Sequence, residues 1–111
     1  MEKKFKVELL PDAVKFLEEL GMEAREKIYY NITKAQYITD AELFKKLNKH
    51  IWEFRTMYQS RAYRLFAFWG EGADDTIVIA THGIMKKSNK TPVKEIEKAE
   101  NLRRQYLNER R

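Results

Sequence analysis

The sequence has no cysteine, only two histidines, and only six glycine and proline residues among its 111. Without cysteine there is no disulfide framework and no thiolate metal site. His50 and His82 alone are too few ligands for a histidine-based zinc centre, which argues against metal catalysis. We therefore predict a protein that folds through its hydrophobic core and works without a metal or any other cofactor.

Long apolar runs are also missing. No stretch approaches the roughly 20 apolar residues that span a bilayer, and the N-terminal MEKKFKVELLPDAV lacks the apolar segment of a signal peptide. With the absence of cysteine, this predicts a soluble, cytoplasmic protein with no membrane partner. The composition is 43% hydrophobic and 35% charged, which predicts a single globular domain over residues 1–111.

The net charge of +5 is concentrated near the C-terminus. Residues 1–85 contain 13 Lys/Arg and 13 Asp/Glu, whereas residues 86–111 contain nine basic and four acidic residues. Clustered Lys and Arg favour a polyanion such as nucleic acid, because binding releases phosphate counterions. A solvated, Lys-rich helix face is the alternative that charge alone leaves open.

The first half of the chain reads as a strand followed by helices. Apolar and polar residues alternate over residues 4–10, which predicts a half-buried strand. Pro11 then opens a helix that ends near Gly21, and a second helix follows with apolar residues at helical spacing. Residues 39–42, TDAE, have the form of a capping box, which predicts a third, short helix. That helix would bury Leu43, Phe44 and Leu47 and end at Asn48.

The apolar period changes to two in the second half. Residues 51–58, 62–69 and 76–85 read as three strands with short connections, an antiparallel meander. A C-terminal helix over about 92–107 follows, with Thr91 as its N-cap, Pro92 in its first position, and a frayed tail beyond it. The order predicts an α+β domain with the helices on one face of the sheet.

A basic cluster is the strongest functional signal from the residues alone. Counting back from the hairpin loop places Arg55 and Arg64 opposite each other on adjacent strands, and the third strand adds His82, Lys86 and Lys87. Arginine binds phosphate oxygens bidentately and lysine supplies a compact charge. Such a set suits RNA cleavage by the 2′-hydroxyl, in which a phosphorane gains negative charge. His82 is a candidate proton shuttle.

Each of these residues also has a structural interpretation. Arg64 can pair with Glu53 across the hairpin, and Lys86 and Lys87 can protect a strand end. His82 next to Gly83 is typical of a structural histidine. Trp52, Trp69, Arg61 and His50 are expected to be structural or solvated, with base stacking as the alternative for the tryptophans.

Four segments, IWEFR, AYRLFAFW, THGIMKK and KTPVKEIEKAENLRRQYL, occur in an order and spacing that resemble the RelE/ParE toxin superfamily. The HigB-like, phage-derived-type branch of type II toxin–antitoxin systems is the most similar. The resemblance covers roughly residues 4–107 and is strongest over 51–107. Over the helices at 12–47 it extends only to length and pattern.

The resemblance implies a RelE-like fold with an N-terminal strand, two to three helices, an antiparallel sheet and a C-terminal helix. It implies an mRNA interferase, a ribosome-dependent endoribonuclease that acts without metal, leaves a 2′,3′-cyclic phosphate and inhibits translation. It also implies a helix-turn-helix antitoxin. By motif position, Arg64 and Arg55 would hold the phosphate, and Lys86 and Lys87 would stabilise charge. Arg61 and Lys90 are further candidates for contact with RNA.

The proton-transfer group departs from the pattern. Relatives often use a C-terminal Tyr or His, but Tyr106 here lies on the apolar stripe of the last helix, so His82 is the candidate. Two other functions stay open from sequence: a ParE-like inhibitor of DNA gyrase, and a non-catalytic module that binds RNA or an antitoxin.

Overall fold

The computed structural model describes residues 2–71, 76–86 and 90–110. Lys87, a candidate site residue, lies outside the described residues. None of the helices in these ranges is long and apolar enough to cross a membrane. The described elements, in chain order, are β1 (Lys6–Leu9), α1 (Pro11–Glu18), α2 (Met22–Tyr37), β2 (Phe44–Lys46), β3 (Ile51–Tyr58), β4 (Arg61–Trp69), β5 (Ile77–Lys86) and α3 (Val93–Glu109).

The strands form one five-stranded sheet in the order β1-β5-β4-β3-β2. β2, β3, β4 and β5 pair antiparallel in sequence order, which confirms the predicted meander. β1 lies parallel to β5 at one edge, so the sheet as a whole is mixed. The α+β class and the order of the main elements are as the sequence predicts.

The third helix predicted over residues 39–47 is wrong, because that segment contains β2. Asp40 accepts the Glu42 amide with its side chain (2.9 Å), and the Thr39 hydroxyl accepts a hydrogen bond from Lys4. Asn48 does not end a helix but turns the chain between β2 and β3. Pairing with β3 outweighs the local capping pattern, since it also stacks Phe44 on a neighbouring aromatic ring.

One sheet face packs against α1 and α2. Leu17 of α1 and Ile28 of α2 are almost fully buried against it. The strand side chains in this cluster are Phe54, Tyr63, Leu65, Ala67, Val78 and Ala80. We call this surface the α1/α2 face. It is the larger of two cores, and it accounts for the apolar stripes of both N-terminal helices.

The other face carries a second core under α3, so the prediction that all helices lie on one face is wrong. Its buried residues are Ile51, Phe66, Phe68, Ile79 and Ala99. We call this surface the α3 face. Successive side chains of a strand point to opposite faces, and β4 is apolar at nearly every position. Both faces of the central strands are therefore apolar, and each must pack against helices to be shielded from water.

The start and end of α3 also differ from the prediction. Pro92 is the N-cap, and neither Thr91 nor any other side chain donates or accepts a capping hydrogen bond there. The helix continues to Glu109, beyond Asn108, where fraying was expected. The hydroxyl of Thr91 is used elsewhere, in the candidate site.

Candidate phosphate-binding site

A tight hairpin places two arginines side by side. Gln59 and Ser60 join β3 to β4 with positive φ angles of 50° and 63°, as two-residue hairpin loops of the I′ type require. The loop fixes the register so that Arg55 pairs directly with Arg64. The position predicted by counting back from the loop is therefore confirmed.

Like charges directly opposite each other destabilise a sheet, and a buried carboxylate offsets this repulsion. Glu53 lies two residues before Arg55 on the α3 face. Its Oε2 is 3.5 Å from Nε of Arg55, and its Oε1 is 3.5 Å from Nε of Arg64. The side chains of Glu53 and Arg64 are 3% and 1% exposed. The pairing of Arg64 with Glu53, one of the alternatives from sequence, is present.

The arginines keep unused hydrogen-bonding capacity. Arg64 donates from Nη1 to the Tyr63 carbonyl at 3.1 Å, and Arg55 reaches the Ala41 carbonyl at 3.5 Å. Within the described part of the chain, the buried Nε atoms of both arginines have no hydrogen-bond acceptor. Burial lowers the pKa of Arg64 and Glu53 opposes the shift, but a guanidinium stays charged in proteins.

A cavity of about 350 Å³ opens beside this pair. Its lining residues are Glu42, Arg55, Thr56, Met57 and Arg64. The cavity lies where β3 extends past the short β2, so the two guanidinium groups border open space rather than a further strand. Two fixed cations beside such a space suit a tetrahedral anion, because each guanidinium offers several N–H donors in one plane.

Lys86 joins the same network through a hydroxyl. Its ammonium donates to Oγ1 of Thr91 at 3.3 Å, and Thr91 donates to Oε1 of Glu53 at 3.1 Å. Burial lowers the pKa of Lys86, the charge of Arg64 lowers it further, and Glu53 raises it. The third strand thus brings Lys86 to the arginines, as the sequence suggested.

The sequence reasoning missed Lys45 and Thr91 as members of the site. Lys45 pairs with Glu53 across β2 and β3, and its charge acts on the ammonium of Lys86. It escaped notice because β2 was predicted as a helix. Thr91 was expected to cap α3, so its contact with Glu53, 38 residues away, had no local signal.

His82 lies on the same face but makes other contacts. Its Nδ1 is 3.0 Å from the Thr81 hydroxyl, its Nε2 is 3.1 Å from a carboxylate oxygen of Glu95, and its ring stacks on Phe66. It borders a different cavity, together with Lys98 and residues of α1. Burial lowers the pKa of its imidazole, and Glu95 partly opposes that shift.

The other candidates lie apart from the arginine pair. Arg61 is exposed at the hairpin end, on the opposite pleat from Arg64, and Lys90 is exposed before α3. Tyr106 packs edge-on against Phe68 with ring centres 5.5 Å apart. Trp52 and Trp69 belong to an aromatic cluster around Phe44. Among the described residues, no group of three His, Asp or Glu side chains could hold a metal ion.

Comparison with known proteins gives a family and a fold. The model of the family described as "Phage derived protein Gp49-like (DUF891)" matches residues 15–104, a range that includes Arg55, Arg64 and Lys86. A chain of the archaeal RelE–RelB complex from Pyrococcus horikoshii OT3 is similar in structure, with a TM-score of 0.52 and 14% identity. That match covers 78% of this chain and 99% of the other and indicates a RelE-like fold. No curated protein matches the sequence.

Proposed function

The chain belongs to the Gp49-like family of phage-derived proteins, which are RelE-type toxins, and we propose that it cleaves messenger RNA on the ribosome. The observation that carries this proposal is the pairing of Arg55 with Arg64 beside an open cavity, with Lys86 attached through Thr91. Arg64 is buried and Arg55 is half-buried, so the two like charges face each other largely out of water. A phosphate group in the cavity would relieve their repulsion.

The proposed reaction needs charge stabilisation above all. The 2′-oxygen of one nucleotide attacks the neighbouring phosphorus, the bond to the 5′-oxygen breaks, and a 2′,3′-cyclic phosphate remains. Water accepts the 2′-hydroxyl proton, and water gives a proton to the leaving 5′-oxygen, so the protons balance. The phosphorane between these steps carries extra negative charge, and fixed cations stabilise it more than they stabilise the ground state.

We assign the roles as follows. Arg64 and Arg55 bind the non-bridging phosphate oxygens, and Lys86 stabilises the developing charge, with Lys87 as a second cation. For His82 we propose a structural role, instead of the proton transfer that the sequence suggested. Both of its ring nitrogens already have partners in Thr81 and Glu95.

The test is cleavage of a defined mRNA on programmed ribosomes, with mapping of the ends. We expect Arg64→Ala and Lys86→Ala each to lower the cleavage rate by a factor of about 100 or more, while Lys34→Ala, an exposed lysine on α2, leaves it unchanged. Unchanged rates in both site variants would contradict the assignment. DNA damage on expression with intact translation would instead indicate gyrase inhibition.

We also propose that the toxin has a protein antitoxin, of the helix-turn-helix type. The support is the family, together with the fold shared with a chain from a RelE–RelB complex. Co-expression with the product of a neighbouring gene should restore growth, and the two proteins should co-purify. The same experiment separates a toxin from a binding-only module, which would cause no growth arrest when expressed alone.

A further inference from the structure

The segment between β5 and α3 is tied to the arginine pair by one hydroxyl. Thr91 accepts a hydrogen bond from Lys86 and donates one to Glu53, and Glu53 lies against both guanidinium groups. These contacts link β5, through Thr91 two residues before α3, to β3 and β4. The Thr91 side chain thus joins the segment before α3 directly to Glu53, at 3.1 Å.

The geometry around Glu53 leaves its two oxygens unequal. Oε2 lies against Nε of Arg55, whereas Oε1 lies against Nε of Arg64 and also accepts a hydrogen bond from the Thr91 hydroxyl. The distances to both Nε atoms are 3.5 Å, and neither contact is a hydrogen bond. The carboxylate therefore accepts a hydrogen bond from Thr91 and attracts both guanidinium groups from their buried Nε side, rather than through the Nη groups that a phosphate would bind.

We infer that Glu53 and Thr91 are positioning residues, which hold Arg55 and Arg64 with their donors free for a phosphate of RNA. The inference rests on the proposed function and extends it to two residues that touch no substrate. Without the Thr91 hydroxyl, the Glu53 carboxylate turns to pair fully with one arginine. The site then holds one phosphate-binding guanidinium instead of two.

The experiment uses a short 2′-O-methyl RNA, which presents phosphates but lacks the nucleophile for cleavage. Affinity is measured for the full chain and for three variants: Thr91→Val, which keeps the shape and removes the hydroxyl; Thr91→Ser, which keeps the hydroxyl; and Thr33→Val, an exposed threonine on α2. We expect Thr91→Val to weaken binding about tenfold, since it removes a hydrogen bond to a charged group. Thr91→Ser and Thr33→Val should bind like the original protein.

A second measurement needs no RNA and tests the contacts among Lys86, Thr91 and Glu53. The ammonium of Lys86 loses an acceptor in Thr91→Val and the stabilising charge of Glu53 in Glu53→Gln, so its pKa should fall in both variants. NMR titration of the lysine side chain measures this directly. Thr91→Ser should leave the pKa of Lys86 where it is.

The outcomes separate the two proposals. If Thr91→Val binds the RNA analogue as tightly as Thr91→Ser, the positioning role is wrong, whatever the cleavage assay gives. If the affinities differ as expected but no ribosome-dependent cleavage occurs, the positioning role stands and the endonuclease proposal fails. If the original protein does not bind the analogue at all, the positioning role fails, and the assay on programmed ribosomes alone decides the endonuclease proposal.

Discussion

At the scale of single residues, His82 shows how burial sets the charge of a histidine. Burial lowers its pKa below the usual 6.5, the Glu95 hydrogen bond opposes this, Lys98 adds to it, and Asp12 opposes it weakly. Lys15 and Glu19 of α1 line the same cavity. The folded protein thus takes up a proton at this site only at a lower pH than the unfolded chain does.

This difference gives a pH dependence with a definite sign. Between the lowered pKa of folded His82 and 6.5, the unfolded chain binds more protons, so the contribution of His82 to stability is complete above 6.5 and is lost as the pH falls below it. We expect the free energy of unfolding to fall more steeply below pH 6.5 in the original protein than in His82→Gln. Urea unfolding of both proteins on each side of that pH measures it.

His50 is present in both proteins, so the comparison isolates His82. Parallel pH profiles would mean that the folded protein protonates His82 as readily as the unfolded chain. That result would return the imidazole to the list of proton-transfer candidates, because a histidine with an ordinary pKa near neutrality is suited to that chemistry.

The arginine pair was predictable from sequence and its surroundings were not, for a physical reason. Strand register follows from the loop and the alternation of side chains, both of which are local. The contact of Glu53 with Thr91 joins residues 38 positions apart and depends on how α3 docks. No periodicity in the sequence carries that information.

At the scale of elements, the contact of α1 with β5 depends on a missing side chain. A Cβ on Gly83 would lie 2.3 Å from Cδ2 of Phe16, whereas a Cβ on Gly21 would have no atom within 4 Å. We expect Gly83→Ala to lower the free energy of unfolding by about 1–3 kcal/mol through overpacking. The control Gly21→Ala should change it by less than about 1 kcal/mol.

A double-mutant cycle tests the cause, with urea unfolding as the measurement. Phe16→Leu removes the aromatic ring that a Cβ on Gly83 would meet. In that background Gly83→Ala should lower the free energy of unfolding by less than it does in the original protein. An equal cost in both backgrounds would show that the loss comes from β5 itself and not from its contact with α1.

The two errors about elements have a common origin. The capping pattern of TDAE is compatible with a helix over 39–47, but the segment after it gains more by pairing with β3 and stacking Phe44 on Phe54 at 4.4 Å. Likewise, α3 covers the second sheet face because Phe66 and Phe68 leave it apolar. In each case a tertiary contact overrides a local pattern.

At the scale of the whole molecule, the two sheet faces have different roles. The α1/α2 face carries the larger core. The α3 face is apolar where α3 covers it and charged at the β3–β4 hairpin end, where Glu53, Arg55 and Arg64 lie. The arginines lie among aromatic residues because both belong to the same sheet face. The aromatic residues of that face pack under α3, and the arginines lie beyond the helix, next to the cavity.

The charges around that cavity come from three segments that are distant in sequence. Among the described residues, Lys45 of β2, Arg55 and Arg64 of the hairpin, and Lys86 of β5 outnumber the carboxylates of Glu53 and Glu42. An RNA that binds here displaces counterions from all of them, so its affinity should fall steeply with salt concentration.

The last prediction assigns that salt dependence to particular residues. For single-stranded RNA, each phosphate contact contributes about 0.7 to the slope of log affinity against log salt. We expect Lys45→Ala and Lys86→Ala each to reduce the slope for the 2′-O-methyl RNA by about that amount, while Lys34→Ala on the α1/α2 side leaves it unchanged. Fluorescence anisotropy over a series of salt concentrations measures the slope.

The pattern among the three variants locates the bound RNA. If only Lys86→Ala reduces the slope, the phosphates run from the cavity towards the basic segment before α3, and Lys45 acts on the site without touching RNA. If neither substitution at the cavity matters, the excess charge of residues 86–111 binds RNA by itself. The arginine pair would then serve the fold, with Glu53 as its buried counter-ion.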